Sequence, residues 1–180
     1  LLGCTPPGRH TEQHDLFFGI GENLRDLVPE MISFWPEANG QIHIDSWRQV
    51  SMVDNHFIQV TARALAEENR QEELNHLFFL NLGGYKTGEF EEYHYKMLTV
   101  CGNMGAAIQQ AKKTAFYKHN GFKNAESHVD DKYGVDVDEV YNVEDILSPG
   151  IKEKYALRIS PHDSPEEDTL QIGYLKIDKI

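Results

Sequence analysis

The feature that most constrains this chain is that it resembles itself. Shifted by 80 positions without a gap, Leu2 falls on Leu82, Gly3 on Gly83, Gly8 on Gly88, Glu12 on Glu92, His14 on His94 and Asn23 on Asn103. Intervening columns agree in character, with Phe17, Phe18 and Ile20 opposite Met97, Leu98 and Val100. After an insertion of five in the second copy, His43, Ile44 and Asp45 align with His128, Val129 and Asp130, and Val53 and Asp54 with Val137 and Asp138. Repetition at a fixed period means that one supersecondary unit is used twice, so whatever fold is proposed must be built twice. The units run over 1–62 and 76–147, with a polar connector at 63–75 and a tail at 148–180. In the second copy the apolar run Leu77 to Leu82 precedes the double glycine. The matching run of the first copy would begin before Leu1, so Leu1 is expected inside a first strand whose start lies upstream.

Local patterns give the content of each unit. The run Leu77 to Leu82, bounded by Gly83 and Gly84, reads as a buried strand. Tyr93 to Cys101 alternates and reads as its antiparallel partner. Asn103 is placed to cap a helix carrying Met104, Ala107, Ile108, Ala111, Ala115 and Phe116 on one face, with Lys112, Lys113 and Lys118 near its end. The first unit repeats this order: a strand at Asp15 to Ile20, a cap at Asn23, an apolar stripe Leu24, Leu27, Val28, Met31, Ile32 and Trp35, and a stop at Pro36. Extended segments follow at 41–44 and 57–61, and at 129 and 140–143. Ser148 and Pro149 start a short helical turn, and 155–159 with 170–177 reads as a hairpin around a polar loop. The expected class is α+β: two strand-strand-helix-strand-strand units about a pseudo-two-fold axis, mostly antiparallel, with a C-terminal hairpin.

Composition narrows the partners. With 17 Lys and Arg against 29 Asp and Glu the net charge is −12, a field that repels nucleic-acid phosphates and anionic lipid. No nucleic-acid or membrane partner is expected, which leaves a small molecule or a protein. Cys4 and Cys101 are outside the repeated framework and read as buried, inert thiols in a reducing compartment. No basic, apolar and small-residue leader is seen, so the expected location is the cytoplasm.

The sequence Leu82-Gly83-Gly84-Tyr85, Gly88-Glu89-Phe90-Glu91-Glu92 and His94, echoed by Gly3, Gly8, Glu12-Gln13-His14-Asp15 and Phe17-Phe18, resembles the bacterial domain of unknown function numbered 1543. The second copy carries the fuller motif; the first has Cys4 for the second glycine and Thr11 where the second has Glu91. The resemblance implies a bacterial origin and a duplicated architecture, and it imports no activity.

The repeated polar residues are the candidate site: Glu12, His14, His43 and Asp45 in one unit, Glu92, His94, His128 and Asp130 in the other. Residues two apart on a strand share a face, so Glu-x-His and His-x-Asp can bring imidazoles and carboxylates together. Such a set can bind a divalent metal or exchange protons. The plainer expectation is that these histidines hydrogen-bond a neighbouring strand or an aspartate and fix the loops, with no cofactor. The loops around Gly3, Gly8, Gly83, Gly84 and Gly88 lack the Gly-Lys-Ser/Thr ending of a phosphate loop, and the glycines read as bends or bulges. The basic and aromatic patch at 112–123 reads as a solvated helix end, and the acidic run through Asp130, Asp131, Asp136, Asp138 and Glu139 as solvated surface without calcium-loop spacing. The leading expectation is a binding or interaction module with a cleft between the units, lined by the repeated Glu and His residues and the glycine loops. The alternative is a small metal-dependent or acid-base enzyme using the same residues.

Overall fold

The structure is a computed structural model and describes residues 1–68, 75–85, 88–113, 136–163 and 167–180. His128 and Asp130 lie outside the described residues, as does the expected extension of the second helix past Lys113.

Within the described residues three antiparallel sheets form the frame. The amino-terminal sheet contains β1 (Leu2–Cys4), β2 (Gln13–Asp15), β3 (His43–Trp47) and β10 (Gln171–Lys176), in the order β10-β3-β1-β2. A second sheet contains β4 (Met52–Val53), β5 (His56–Ala62) and β9 (Tyr155–Pro161), in the order β4-β5-β9. The third contains β6 (His76–Tyr85), β7 (Glu92–Cys101) and β8 (Asp136–Asn142), in the order β7-β6-β8. Mixed helices and antiparallel sheets make the class α+β.

Helices cover one face of each outer sheet. Asn23 caps a 3₁₀ turn, Leu24–Leu27, through a reciprocal capping box with Asp26, and the chain continues into α1 (Val28–Phe34). Pro29 suits the first turn of α1, where no backbone donor is needed, and Pro36 opens a further 3₁₀ turn rather than extending the helix. Met31 packs with Leu2, Cys4, Ala38, Ile42, Ile44 and Ile177 under the amino-terminal sheet. In the same manner Asn103 Oδ1 accepts from Ala106 N to start α3 (Met104–Lys113), whose Ala107 and Ala111 sit on Phe78, Leu80, Leu82 and Cys101. Two alanines bring this helix close to the sheet, and the buried leucines Leu80 and Leu82 each contribute about 1.5–3 kcal/mol.

The opposite face of the third sheet meets the amino-terminal half. Leu77, Phe79, Leu98 and Val100 pack with Leu16, Phe18, Ile20, Val50, Val53, Ile58 and Leu157. Phe18 and Phe79 rings lie 5.6 Å apart. Asp54, at positive φ in the β4-β5 turn, fastens this junction by accepting from Thr99 Oγ1 at 2.6 Å, Val100 N at 3.0 Å and Gln110 Nε2 at 2.9 Å. Where a cleft was expected, the described residues form a packed apolar junction, because two amphipathic sheets with outward-facing leucine, valine and phenylalanine gain most by burying those faces on each other.

Two local expectations are corrected. The tail is not a hairpin: β9 pairs with β5 from Ala62↔Tyr155 to His56↔Pro161, while β10 pairs with β3, so the two strands enter different sheets. Strand β10 completes the amino-terminal sheet at the free edge of β3, and the ladder hydrogen bonds available there outweigh local hairpin closure. The first-unit strand expected over Asp15 to Ile20 lies earlier in the chain, at Gln13–Asp15, so that only Asp15 is shared, and the Asp15 carboxylate accepts from Leu16 N where the strand ends. Beyond it, Leu16 to Ile20 contributes to the core without ladder pairing. The remaining helices are α2 (Arg63–Glu68) in the connector, α4 (Val143–Ile146) and α5 (Pro149–Lys154).

Candidate functional site

Gly3 is the floor of the first polar cluster. It lies on β1 between two partners, His14 on β2 and His43 on β3. Leu2 and Cys4 point into the core, so Gly3 belongs to the other face, with His43, Asp45 and His14. A side chain here would have no room: a Cβ at Gly3 would stand 2.4 Å from His43 Nε2 and 2.8 Å from Asp45 Oδ2. The glycine therefore serves close approach, not flexibility, and it lets side chains from the flanking strands converge over the central one.

They converge as an alternating ring of imidazoles and carboxylates. His14 Nε2 lies 3.4 Å from Glu12 Oε2 and 3.4 Å from Asp45 Oδ2. His43 Nε2 lies 3.2 Å from Glu12 Oε1 and 3.3 Å from Asp45 Oδ1. All four residues expected in the first unit are thus in one place. The His43 side chain is only 8% exposed, and the Tyr174 ring from β10 covers it at a centroid distance of 4.3 Å. Nevertheless His43 Nε2 and Asp45 Oδ2 are buried atoms that make no hydrogen bond. Around His43 Nε2 the neighbouring carboxylate oxygens are near enough for a hydrogen bond but not aligned for one.

The same register recurs in the third sheet. Gly83 pairs with His94 on β7 and with Asp136 on β8, as Gly3 pairs with His14 and His43. A Cβ at Gly83 would lie 2.3 Å from Asp138 Oδ2. Around this glycine Glu92, His94 and Asp138 each offer a ligand atom, all within 4.8 Å of one another. His94 Nε2 is 3.4 Å from Asp138 Oδ2 and 4.0 Å from Glu92 Oε2. Asp138 is the residue that the sequence reading missed, having placed it opposite Asp54 and in a solvated acidic run. Pairing of Leu82 with Val137, as Leu2 pairs with Ile44, makes Asp136, Val137 and Asp138 the counterparts of His43, Ile44 and Asp45. Asp54 instead sits in a turn. The signal available in the sequence was the alternation Asp-Val-Asp, which matches the in-out-in pattern of His-Ile-Asp although only one identity survives.

The other glycines have local roles. Gly8 and Gly88 adopt φ of +83° and +82°, the left-handed region that favours glycine, at matching points of the two loops. Gly84 is buried on β6. Of the two buried thiols, Cys4 faces the core behind Gly3, and its pKa is raised by burial and, secondarily, by Glu12 and Glu37. Cys101 Sγ donates to Gln110 Oε1 at 3.2 Å. Both are poor nucleophiles in these settings. A separate open depression is lined by Arg63, Glu144, Asp145, Pro149, Lys152 and Glu153, none of which belongs to either cluster. Arg63 there is committed to structure, donating to the carbonyls of Lys152 and Tyr155.

Comparison with known proteins bears on this geometry. The model of the family described as Domain of Unknown Function (DUF1543) matches residues 9–60, a span that contains Glu12, His14, His43 and Asp45. The chain is similar in structure to a protein Il1583 from Idiomarina loihiensis, known from a crystal structure, with a TM-score of 0.59 and 18% identity over 98% of this chain and 93% of that one. At that identity the likeness shows a common fold. No curated protein matches the sequence. No helix among the described residues is long and apolar enough to cross a membrane.

Proposed function

We propose that this protein is a bacterial, cytoplasmic cation-binding module built from two duplicated units, and that the first unit holds one divalent transition-metal ion through Glu12, His14, His43 and Asp45. One observation carries the reading: His43 Nε2, buried and without a hydrogen bond, faces carboxylate oxygens at 3.2 and 3.3 Å. An unpartnered buried imidazole nitrogen costs roughly 1–3 kcal/mol, a cost that coordination to a cation removes. The four contacts of the ring run from 3.2 to 3.4 Å, with each carboxylate reaching the two imidazoles through different oxygens, so an ion would draw one oxygen of each inward to bond lengths of about 2.0–2.2 Å.

Two imidazoles with two carboxylates suit zinc and its neighbours among first-row divalent ions. Four protein side chains leave fewer positions for water than the three ligands usual at catalytic zinc, so the donor set supports binding over catalysis. The acidic charge of the chain favours cations and disfavours nucleic acid and anionic membranes, and the two unpaired, buried cysteines suit a reducing cytoplasm.

Isothermal titration of the metal-stripped protein with Zn²⁺ tests the proposal. One tight equivalent is expected, accompanied by a rise in Tm, and His14→Gln and His43→Gln should each weaken it at least 100-fold. Equal Zn²⁺ affinity in the wild type and in the double variant would refute it.

A further inference from the structure

The two glycine-floored clusters differ in donor chemistry, and we propose that Glu92, His94 and Asp138 form a second divalent-cation site selective for harder ions of the Mn²⁺ and Mg²⁺ type. This deepens the cation-binding reading above and rests on it for the role of the module, while its own geometry is independent of the first cluster.

Three donors on the two strands that flank β6 present their ligand atoms within 4.8 Å of one another, a spread that a single ion can span. Gly83 clears the floor beneath Asp138 as Gly3 does beneath His43 and Asp45. The difference is in what stands on that floor. The first cluster has two imidazoles; the second has one, and the register position of His43 is held by Asp136. A donor set of one imidazole and two carboxylates leans further toward manganese, magnesium and calcium, and away from zinc, copper and nickel, than one with two imidazoles. The contacts are also looser, at 3.4 and 4.0 Å, against 3.2 to 3.4 Å in the first cluster.

The cluster is open to solvent: the side chains of His94, Glu92 and Asp138 are 37%, 35% and 24% exposed, close to the 42%, 45% and 28% of His14, Glu12 and Asp45, and the buried His43 of the first cluster is the exception at 8%. Ions such as Mg²⁺ dehydrate reluctantly and keep several waters, so they need an open site with a few carboxylates rather than a closed cage. Glu89 and Glu91, in the loop before β7, and Glu139, next to Asp138, add negative charge near the cluster. Lys96, two residues beyond His94 on the same strand face, is the opposing cation.

The test uses the full chain and Mn²⁺ alone, followed by electron paramagnetic resonance. One bound equivalent is expected, with nitrogen coupling from His94 in the pulsed spectrum. His94→Gln should abolish that coupling and weaken binding at least tenfold, and Asp138→Asn should weaken it similarly. His43→Gln should change Mn²⁺ affinity by less than about twofold, and one equivalent of Zn²⁺ should leave Mn²⁺ bound. Absence of Mn²⁺ binding, retention of full affinity in His94→Gln and Asp138→Asn, or displacement by one equivalent of Zn²⁺ would each overturn the second site. If Zn²⁺ still binds through His43 in those cases, the first site stands. If Zn²⁺ fails while Mn²⁺ binding depends on His94, the first site falls and the second stands. Circular dichroism of each variant separates loss of the ion from loss of the fold.

Discussion

In the first cluster two imidazoles and two carboxylates close a ring over Gly3, and His43 is buried beneath Tyr174. In the second, one imidazole and two carboxylates stand over Gly83, exposed to much the same extent as His14, Glu12 and Asp45. The strands beneath them share the register at the floor glycine, but a shift in the β6-β8 ladder between Asn81 and Leu82 leaves Asp138 outside the pairing. Two further differences are a histidine exchanged for Asp136 at one register position, and β10 laid along β3 in the amino-terminal sheet. A shared scaffold thus fixes where donors meet, while the residues and edge strand added to it set burial and donor type. Those in turn govern which ion is favoured and how rigidly it is held.

The floor glycines should give the largest contrast. Gly3→Ala places a methyl against His43, which cannot retreat from Tyr174, so Zn²⁺ affinity should fall at least 100-fold and stability by about 1–3 kcal/mol. Gly83→Ala meets the end of a short, partly exposed side chain that can rotate away, so Mn²⁺ affinity should fall about tenfold, with less than about 1 kcal/mol lost. Calorimetric titration and urea unfolding measure both; equal losses in the two variants would break the contrast.

Metal-free stability gives the next test. With chelator present, His43→Ala removes a buried, stacked ring and should cost about 2 kcal/mol, whereas His94→Ala should stay within about 0.5 kcal/mol. A control comes from Asp54, which holds the two halves together through Thr99, Val100 and Gln110. Asp54→Asn should lose about 1–2 kcal/mol in urea unfolding while leaving both ion affinities unchanged, since it touches neither cluster. The smallest effect is expected from Tyr174→Leu. Loss of the ring contact, about 1 kcal/mol, should weaken Zn²⁺ about fivefold and leave Mn²⁺ untouched; an equal effect on both ions would show that β10 does not distinguish the sites.

Much of this was legible in the chain. Glu-x-His and His-x-Asp spacing placed Glu12, His14, His43 and Asp45 on common faces, and Asn23 and Asn103 marked the helix starts that were found. The sequence did not disclose Asp138, because an alignment that rewards identity chose His128 and Asp130, whereas strand pairing depends only on alternation and edge position. It also misread the tail: 155–159 and 170–177 have strand patterns, but a pattern names no partner.

Sequence by itself determined the elements that depend on neighbours along the chain, namely the strand alternation and the asparagine caps. Tertiary structure alone decided what depends on distant segments meeting. It put β3 beside β1 so that four side chains meet over Gly3, brought β8 to Gly83, and laid Tyr174 over His43. The physical reason is that a strand's face is fixed by its own periodicity, whereas its partner is selected by the ladder and packing energy of the whole sheet.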